Sequence, residues 1–197
     1  MVRTDNSYLA DKVYIRVNHL PKKDTIYLLD CYAGKGMVWK NVASLTDVKI
    51  KRLSIDFKDG IGFHLPGNNL AYLQSMDLNK FDMIDLDAYG VPYEQLKLLF
   101  ERGYKGIVFV TFIQSVFGVI PHGLLVDIGI KQEMIEKCPT LFYRSGWEYF
   151  LDWLSSHGVQ RIAHRSKGRK HYLVFNCADG CTSDYDSPQA NIFEDHV

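Results

Sequence analysis

Asp30-Cys31-Tyr32-Ala33-Gly34-Lys35-Gly36 follows directly on the apolar run Ile26–Asp30 (IYLLD), and this junction decides the fold. An apolar run that ends at an acid and breaks into glycines reads as a strand followed by a tight turn. Glycine reaches backbone conformations closed to other residues and lets a ligand approach without a Cβ in the way. Three further runs follow the first. Val48–Asp56 (VKIKRLSID) again ends at an acid, Phe81–Asp87 (FDMIDLD) is the third, and Gly106–Ile113 (GIVFVTFI) is apolar throughout. A run of that last kind fits a strand covered on both faces, as in a parallel sheet.

Helical patterns lie between and after these runs. Tyr93–Arg102 (YEQLKLLFER) puts Leu96, Leu99 and Phe100 on one face, with Pro92 placed for a first helical position. Trp147–Ser156 (WEYFLDWLSS) repeats aromatics and leucines at helical spacing, a core stripe, and stops at His157-Gly158. Near the start, Leu9, Val13, Val17 and Leu20 fall at helical intervals, although VYIRV also suits a strand. Val159–Arg165, a turn at Ser166-Lys167-Gly168 and Lys170–Asn176 read as a β-hairpin. The expected fold is α/β: a doubly wound, mostly parallel, Rossmann-like sheet with a C-terminal antiparallel hairpin, the antiparallel strand at its edge. No internal repeat or second domain is expected. Residues 1–177 are expected to form the domain and 178–197 a polar, turn-rich tail, disordered or loosely docked.

The whole chain of 197 residues carries 23 Lys+Arg against 23 Asp+Glu. Its 47% hydrophobic content is that of a globular protein. The neutrality is uneven. Ala178–Val197 holds Asp179, Asp184, Asp186, Glu194 and Asp195 and no Lys or Arg, so residues 1–177 carry 23 bases against 18 acids, a net +5. Zero net charge therefore does not exclude a polyanionic partner, and a tail competing for the basic surface is one expectation. No apolar run reaches the length of a membrane span, and the N-terminus lacks a signal peptide's apolar core. Four cysteines in a chain of this length read as reduced thiols, so a cytoplasmic location is expected.

In open α/β sheets ligands bind beyond the carboxyl ends of the strands. A dinucleotide fingerprint needs a third glycine where Trp39 stands, which disfavours NAD. Asp56, twenty residues beyond Gly36, can accept hydrogen bonds from both hydroxyls of a ribose, or simply serve the turn DFKDG. Asn68, in Gly67-Asn68-Asn69-Leu70, can read an adenine amino edge or build a turn. The third strand exit, Ile84-Asp85-Leu86-Asp87-Ala88-Tyr89-Gly90-Val91-Pro92, is the most specific feature. Packing alone has no use for two acids, an aromatic, a glycine and a proline there.

Taken in order, Asp30-x-Tyr-Ala-Gly-x-Gly36, Asp56 and Ile84-Asp-x-Asp-x-Tyr-Gly-x-Pro92 resemble the class I S-adenosylmethionine-dependent methyltransferases. The last segment resembles the Asp-Pro-Phe/Tyr-Gly-x-Pro motif of tRNA guanine-N2 dimethyltransferases and, more loosely, the Asp/Asn-Pro-Pro-Tyr motif of DNA amino-methyltransferases. The layout over roughly residues 8–177 is also similar to small methyltransferase-like proteins of bacteria and their phages. The resemblance implies S-adenosyl-L-methionine as cofactor. It implies Asp30, Tyr32, Gly34 and Gly36 on the methionine and ribose side, Asp56 on the ribose hydroxyls and Asn68, in place of the usual Asp, facing the adenine. Asp87 and Tyr89 take the catalytic and base-stacking positions. The family's proline after the acid is Ala88 here, so its fixed backbone shape is lost.

Elementary chemistry supports the same residues. An exocyclic amine is a poor nucleophile because its lone pair is delocalised into the ring. A carboxylate accepting from the NH₂ draws the nitrogen toward tetrahedral geometry, and a neighbouring aromatic stacks on the base. The five bases of Arg161–Lys170, with Arg161, Arg165, Lys167 and Arg169 as candidate substrate contacts, can track a phosphate backbone or form a solvated turn. Cys177-x-x-x-Cys181 with His171 and His196 is a weak zinc pattern without a second pair, and no metal is expected. Cys31 reads as a small buried filler, and Thr111–Gly118 as a possible wall of the substrate pocket. The expected function is methylation of a nucleobase amino nitrogen in RNA or DNA (tRNA or DNA as partner). The alternative is a non-catalytic module that binds S-adenosylmethionine or a nucleotide. The sequence carries no signal for oligomeric state.

Overall fold

A computed structural model describes residues 8–57, 64–114 and 119–177. The acidic tail, Cys181, His196 and the last four residues of Thr111–Gly118 lie outside them. Strand residues alternate between two apolar clusters. Leu28, Met83, Phe109, Tyr172 and Val174 pack on one side of the sheet. Leu29, Ile84, Val108, Val110, Leu173 and Phe175 pack on the other. Period-two alternation with both faces apolar demands helices on both sides.

The strands are β1 (Thr25–Asp30), β2 (Lys49–Asp56), β3 (His64–Pro66), β4 (Met83–Leu86), β5 (Ile107–Ile113), β6 (Ile162–Lys167) and β7 (Lys170–Asn176). They form one sheet in the order β3-β2-β1-β4-β5-β7-β6. β1 to β5 pair in parallel, and β7 pairs antiparallel with both β5 and β6. Helices α1 (Leu9–Val17) and α2 (Met37–Ser44) cover one face through Val13, Ile15, Trp39 and Val42. The other face is covered by α3 (Asn69–Ser75), α4 (Tyr93–Glu101), α5 (His122–Asp127), α6 (Gln132–Lys137) and α7 (Gly146–Ser156). The ambiguous VYIRV is helical, and burying Val13 and Ile15 together with the stems of Lys12 and Arg16 explains why.

The doubly wound α/β sheet with a C-terminal hairpin is present, with corrections of detail. The antiparallel strand is not at the edge: β7 inserts between β5 and β6, because its Tyr172–Phe175 run is buried while β6 is largely exposed. The hairpin turns at Gly168-Arg169, not at Ser166-Lys167-Gly168, since Gly168 supplies φ +59° and leaves Ser166 and Lys167 to pair with His171 and Lys170. Residues 159–161 precede β6 instead of starting it. The third strand is only Met83–Leu86, so Asp87 stands just beyond its end. Pro92 caps α4 from outside instead of occupying its first turn. No helix among the described residues is long and apolar enough to cross a membrane.

Candidate functional site

Strand order reverses between β1 and β4, and at such a point the outgoing connections leave for opposite faces and open a crevice. The register sets Asp30 beside Asp85 and Asp30 beside Ser54 across three adjacent strands. The cleft beyond these ends is lined by Asp30, Tyr32, Gly36, Trp39, Asp85 and Asp87, among others. The sequence-derived residues Asp30, Tyr32, Gly36 and Asp87 therefore meet in one place. Asp56 joins them from β2, its Oδ2 accepting from the Gly34 amide at 2.7 Å. Gly36 sits at φ +66°, a left-handed conformation, and opens α2.

The cleft carboxylates are matched by cations that the motifs do not reveal. Arg16 Nε and Nη2 donate to the two oxygens of Asp85 at 2.8 and 2.7 Å, and both side chains are 1% exposed. Trp39 Nε1 donates to Asp85 as well, at 2.5 Å. Thus the residue standing where a third glycine would be is a ligand of the cleft's deepest acid. Lys12 Nζ meets Asp87 Oδ2 at 2.8 Å, and Thr111 Oγ1 donates to Asp87 Oδ1 at 2.5 Å. Arg52 Nη1 lies 3.7 Å from Asp30 and donates to the Gly36 carbonyl at 3.3 Å. Lys12 and Arg16 reach both acids because four residues of helix rise about 6 Å while two residues of strand rise about 6.7 Å.

These charges set protonation. Burial alone would raise the Asp87 pKa, but the charges of Arg16 and Lys12, with hydrogen bonds from Lys12 and Thr111, hold it below the usual carboxylate range. Asp30 goes the other way: burial and then Asp85 push its carboxyl well above that range, against the pull of Arg52. Burial lowers and Asp85 raises the Arg16 pKa, and the net effect is upward. Burial pushes the Tyr32 hydroxyl up to about 12, opposed by a hydrogen bond with Asn69. Cys31 is buried, and that burial, with Asp30 and Asp85 nearby, raises its thiol well above the ordinary value. A thiol in that state is a packing group, not a nucleophile.

Beyond β4, Ala88 is buried and its amide bonds the Leu86 carbonyl at 2.8 Å. The Gly90 carbonyl accepts from Ile113 at 3.0 Å, which ties the loop to the end of β5. Tyr89 between them is 83% exposed. The other sequence candidates scatter. Asn68 is exposed and uses its oxygen to cap α3 through the Leu70 amide at 2.9 Å, whereas Asn69 is buried, bonding the Cys31 carbonyl at 3.0 Å. Lys167 and Arg169 stand at the carboxyl edge of the sheet, on the crevice side. Arg161 precedes β6 and so lies at the opposite edge, because β6 runs in the same direction as β5. Arg165 binds α1, with Nη2 2.9 Å from Asp11 and its guanidinium carbon 4.3 Å from the Tyr14 ring centroid. As a substrate cluster the four basic residues are thus divided by strand direction.

Neither a protein-family model nor any curated protein matches the sequence. Solved structures do. The chain is similar to the ribosomal protein L11 methylase of Lactobacillus delbrueckii subsp. bulgaricus, with 15% identity, 88% of this chain and 80% of that one covered and a TM-score of 0.51. A Listeria monocytogenes protein described as a class I S-adenosylmethionine-dependent methyltransferase matches with 17% identity, 93% and 63% coverage and a TM-score of 0.51. An O-methyltransferase family protein from Burkholderia thailandensis matches with 10% identity, 89% and 57% coverage and a TM-score of 0.51. The chain spans less than two thirds of the length of the last two. At these identities the likeness is one of fold, the Rossmann-like α/β fold that these structures share.

Proposed function

We propose that this chain is an S-adenosylmethionine-dependent methyltransferase acting on an exocyclic amino nitrogen of a nucleobase in RNA or DNA. One observation carries the reading: Asp30, Gly36 and Asp87 line one crevice at the switch point, Asp56 at the end of β2 holds the Gly34 amide of the glycine turn, and the exposed Tyr89 follows Asp87 by two residues beyond β4. The donor set fits the cofactor. Asp30 and the glycine turn would take its amino-acid end, and Asp56 its ribose hydroxyls, whereas Asn68 in its cap role leaves the adenine to other groups. When bound, S-adenosylmethionine supplies an electrophilic methyl on a sulfonium.

Asp87 would accept from the acceptor amine. Lys12 and Thr111 each use one position on a different oxygen, and a carboxylate offers about four acceptor positions in all. Its depressed pKa makes it a hydrogen-bond acceptor that orients the nitrogen, more than a store for the released proton. Tyr89 would stack on the base, and Lys167 and Arg169 would contact phosphate. Free thiols at Cys31, Cys138 and Cys177 support a reducing compartment, which we take as the cytoplasm.

The test is incubation of the full chain with methyl-labelled S-adenosylmethionine and mixed tRNA or DNA. Transfer is expected, and Asp87→Ala should abolish it. Ala88 and the prior engagement of Asp87 by Lys12 and Thr111 favour a second reading, a non-catalytic S-adenosylmethionine-binding module. Tight S-adenosylhomocysteine binding by calorimetry without transfer to any nucleic acid would establish it.

A further inference from the structure

We infer that Tyr8 and Lys170, on the rim outside Asp87, form a stacking and phosphate-binding platform for single-stranded nucleic acid, an inference that rests on the nucleobase reading above. Two successive rungs cross from α1 to the sheet. On the inner rung Lys12 meets Asp87, Thr111 holds the other oxygen of Asp87, and Tyr172, which pairs with Thr111, lies with its ring centroid 5.9 Å from Lys12 Nζ. On the outer rung Lys170 stands two residues further toward the carboxyl edge of the sheet, about 6.7 Å along β7. Tyr8 stands one turn further out along α1, about 6 Å beyond Lys12. The two meet, with Lys170 Nζ 5.4 Å from the Tyr8 ring centroid. The ring therefore stands one rung outside the reaction centre, and Tyr8 as a residue is 47% exposed.

Tyr8 is held there against its backbone preference. Its φ of 63° is left-handed, a conformation in which a side chain crowds the following carbonyl. Its carbonyl accepts from the Asp11 and Lys12 amides at 3.1 and 3.2 Å, so the strained residue is the one that opens the helix carrying Lys12 and Arg16. Lys167 and Arg169 continue the positive charge along the same sheet edge, both exposed. A flat exposed ring beside one cation, at a sheet edge that carries further positive charge, presents a π-face and a phosphate track together. In a duplex the base faces are consumed by stacking on one another, so only an unpaired strand or loop can use that ring. Tyr89 receives the target base, and Tyr8 receives a neighbouring nucleotide.

Fluorescence anisotropy of labelled twelve-nucleotide single strands and of the matching duplex, titrated with the full chain and saturating S-adenosylhomocysteine, tests this. Single strands are expected to bind at least tenfold tighter than duplex. Tyr8→Ala should weaken single-strand binding by roughly five- to a hundredfold, the scale of one lost base–aromatic stack. Tyr8→Phe should bind as the native chain does, which separates a lost ring from a damaged α1. Lys170→Gln should lower affinity for both forms and make binding less salt-dependent. Equal affinity for duplex and single strand, or unchanged binding by Tyr8→Ala, overturns the inference. Calorimetry keeps the two readings apart. Absence of S-adenosylhomocysteine binding overturns the cofactor reading even where the Tyr8-dependent single-strand preference is seen. Cofactor binding without that preference overturns the platform alone.

Discussion

Arg16 holds Asp85 by a two-point fork, Nε to Oδ2 and Nη2 to Oδ1, at a depth where each side chain is 1% exposed. This pair sits directly beneath the crevice and is completed by the Trp39 indole. Removing one partner of a buried ion pair leaves the other charge in low dielectric with nothing to oppose it. Arg16→Met should therefore cost about 3–5 kcal/mol of stability. The double variant Arg16→Met with Asp85→Leu should recover most of that loss. Urea denaturation of the native chain and the two variants checks this, and a double variant no more stable than Arg16→Met would count against the pair as a compensated unit.

Lys12 supports the charge of Asp87, whose folded pKa lies below its ordinary value. A depressed carboxyl contributes stability that is present above its unfolded pKa of about 3.9 and is lost as pH falls through the lower folded value. Lys12→Met removes a charge and a hydrogen bond that keep the pKa down. The acid limb of the stability profile should then begin at higher pH than in the native chain. Transfer activity, where present, should fall at its acid side over the same shift. Denaturation curves collected from pH 3 to pH 7 read the first outcome and initial rates the second.

Gly36→Ala tests the cofactor turn. The position has φ +66°, and an added Cβ would lie 3.0 Å from Arg52 Nη2, the guanidinium that also bonds the Gly36 carbonyl. Gly158, at φ +82°, has nothing within 4 Å of such a Cβ. Both alanine variants carry the left-handed cost of about 1–2 kcal/mol, but only Gly36→Ala must also displace Arg52. Gly36→Ala should show the larger drop in melting temperature and a loss of S-adenosylhomocysteine affinity of tenfold or more. Gly158→Ala should bind S-adenosylhomocysteine as the native chain does.

His171 lies flat on Trp147, with ring centroids 3.9 Å apart, and its Nδ1 is 3.3 Å from Nε2 of His164. Burial, then the neighbouring His164, lower its pKa to about 4, with Glu148 opposing. A histidine with a depressed folded pKa is neutral in the fold while the unfolded chain takes up a proton. Stability should be full above the unfolded pKa of about 6.5 and decline as pH falls toward the folded value. His171→Gln should flatten that slope between pH 6.5 and pH 4, visible as a melting temperature that changes less across the window.

The fold and much of the site were legible where the signal is local. The acid-then-glycine exit at Asp30 and the apolar run Ile107–Ile113 each declare themselves within a few residues, and the strand end at Asp56 follows from where its apolar run stops, whereas β4 stops at Leu86, one residue short of Asp87. The cations were not legible. Lys12 and Arg16 read as ordinary helix residues until α1 packs on the sheet and brings them to Asp87 and Asp85, because pairing at i and i+4 with acids at i and i+2 exists only in the packed state. Nor could spacing tell Asn68 from Asn69: capping exposes the first and buries the second against Cys31. Trp39 counted against a dinucleotide turn, yet its indole role depends on Asp85, forty-six residues away.

By itself, the sequence determined a doubly wound sheet with acids and glycines at its strand exits, because period-two burial and turn chemistry act over neighbouring residues. Tertiary structure alone decided that Asp30, Asp85 and Asp87 each face a cation, and that β7 enters the sheet between β5 and β6. It also decided on which edge each base of Arg161–Lys170 stands. The physical reason is that charge compensation and strand direction belong to segments far apart in the chain. They acquire an energy only when burial brings those segments together and removes the water that would otherwise solvate them.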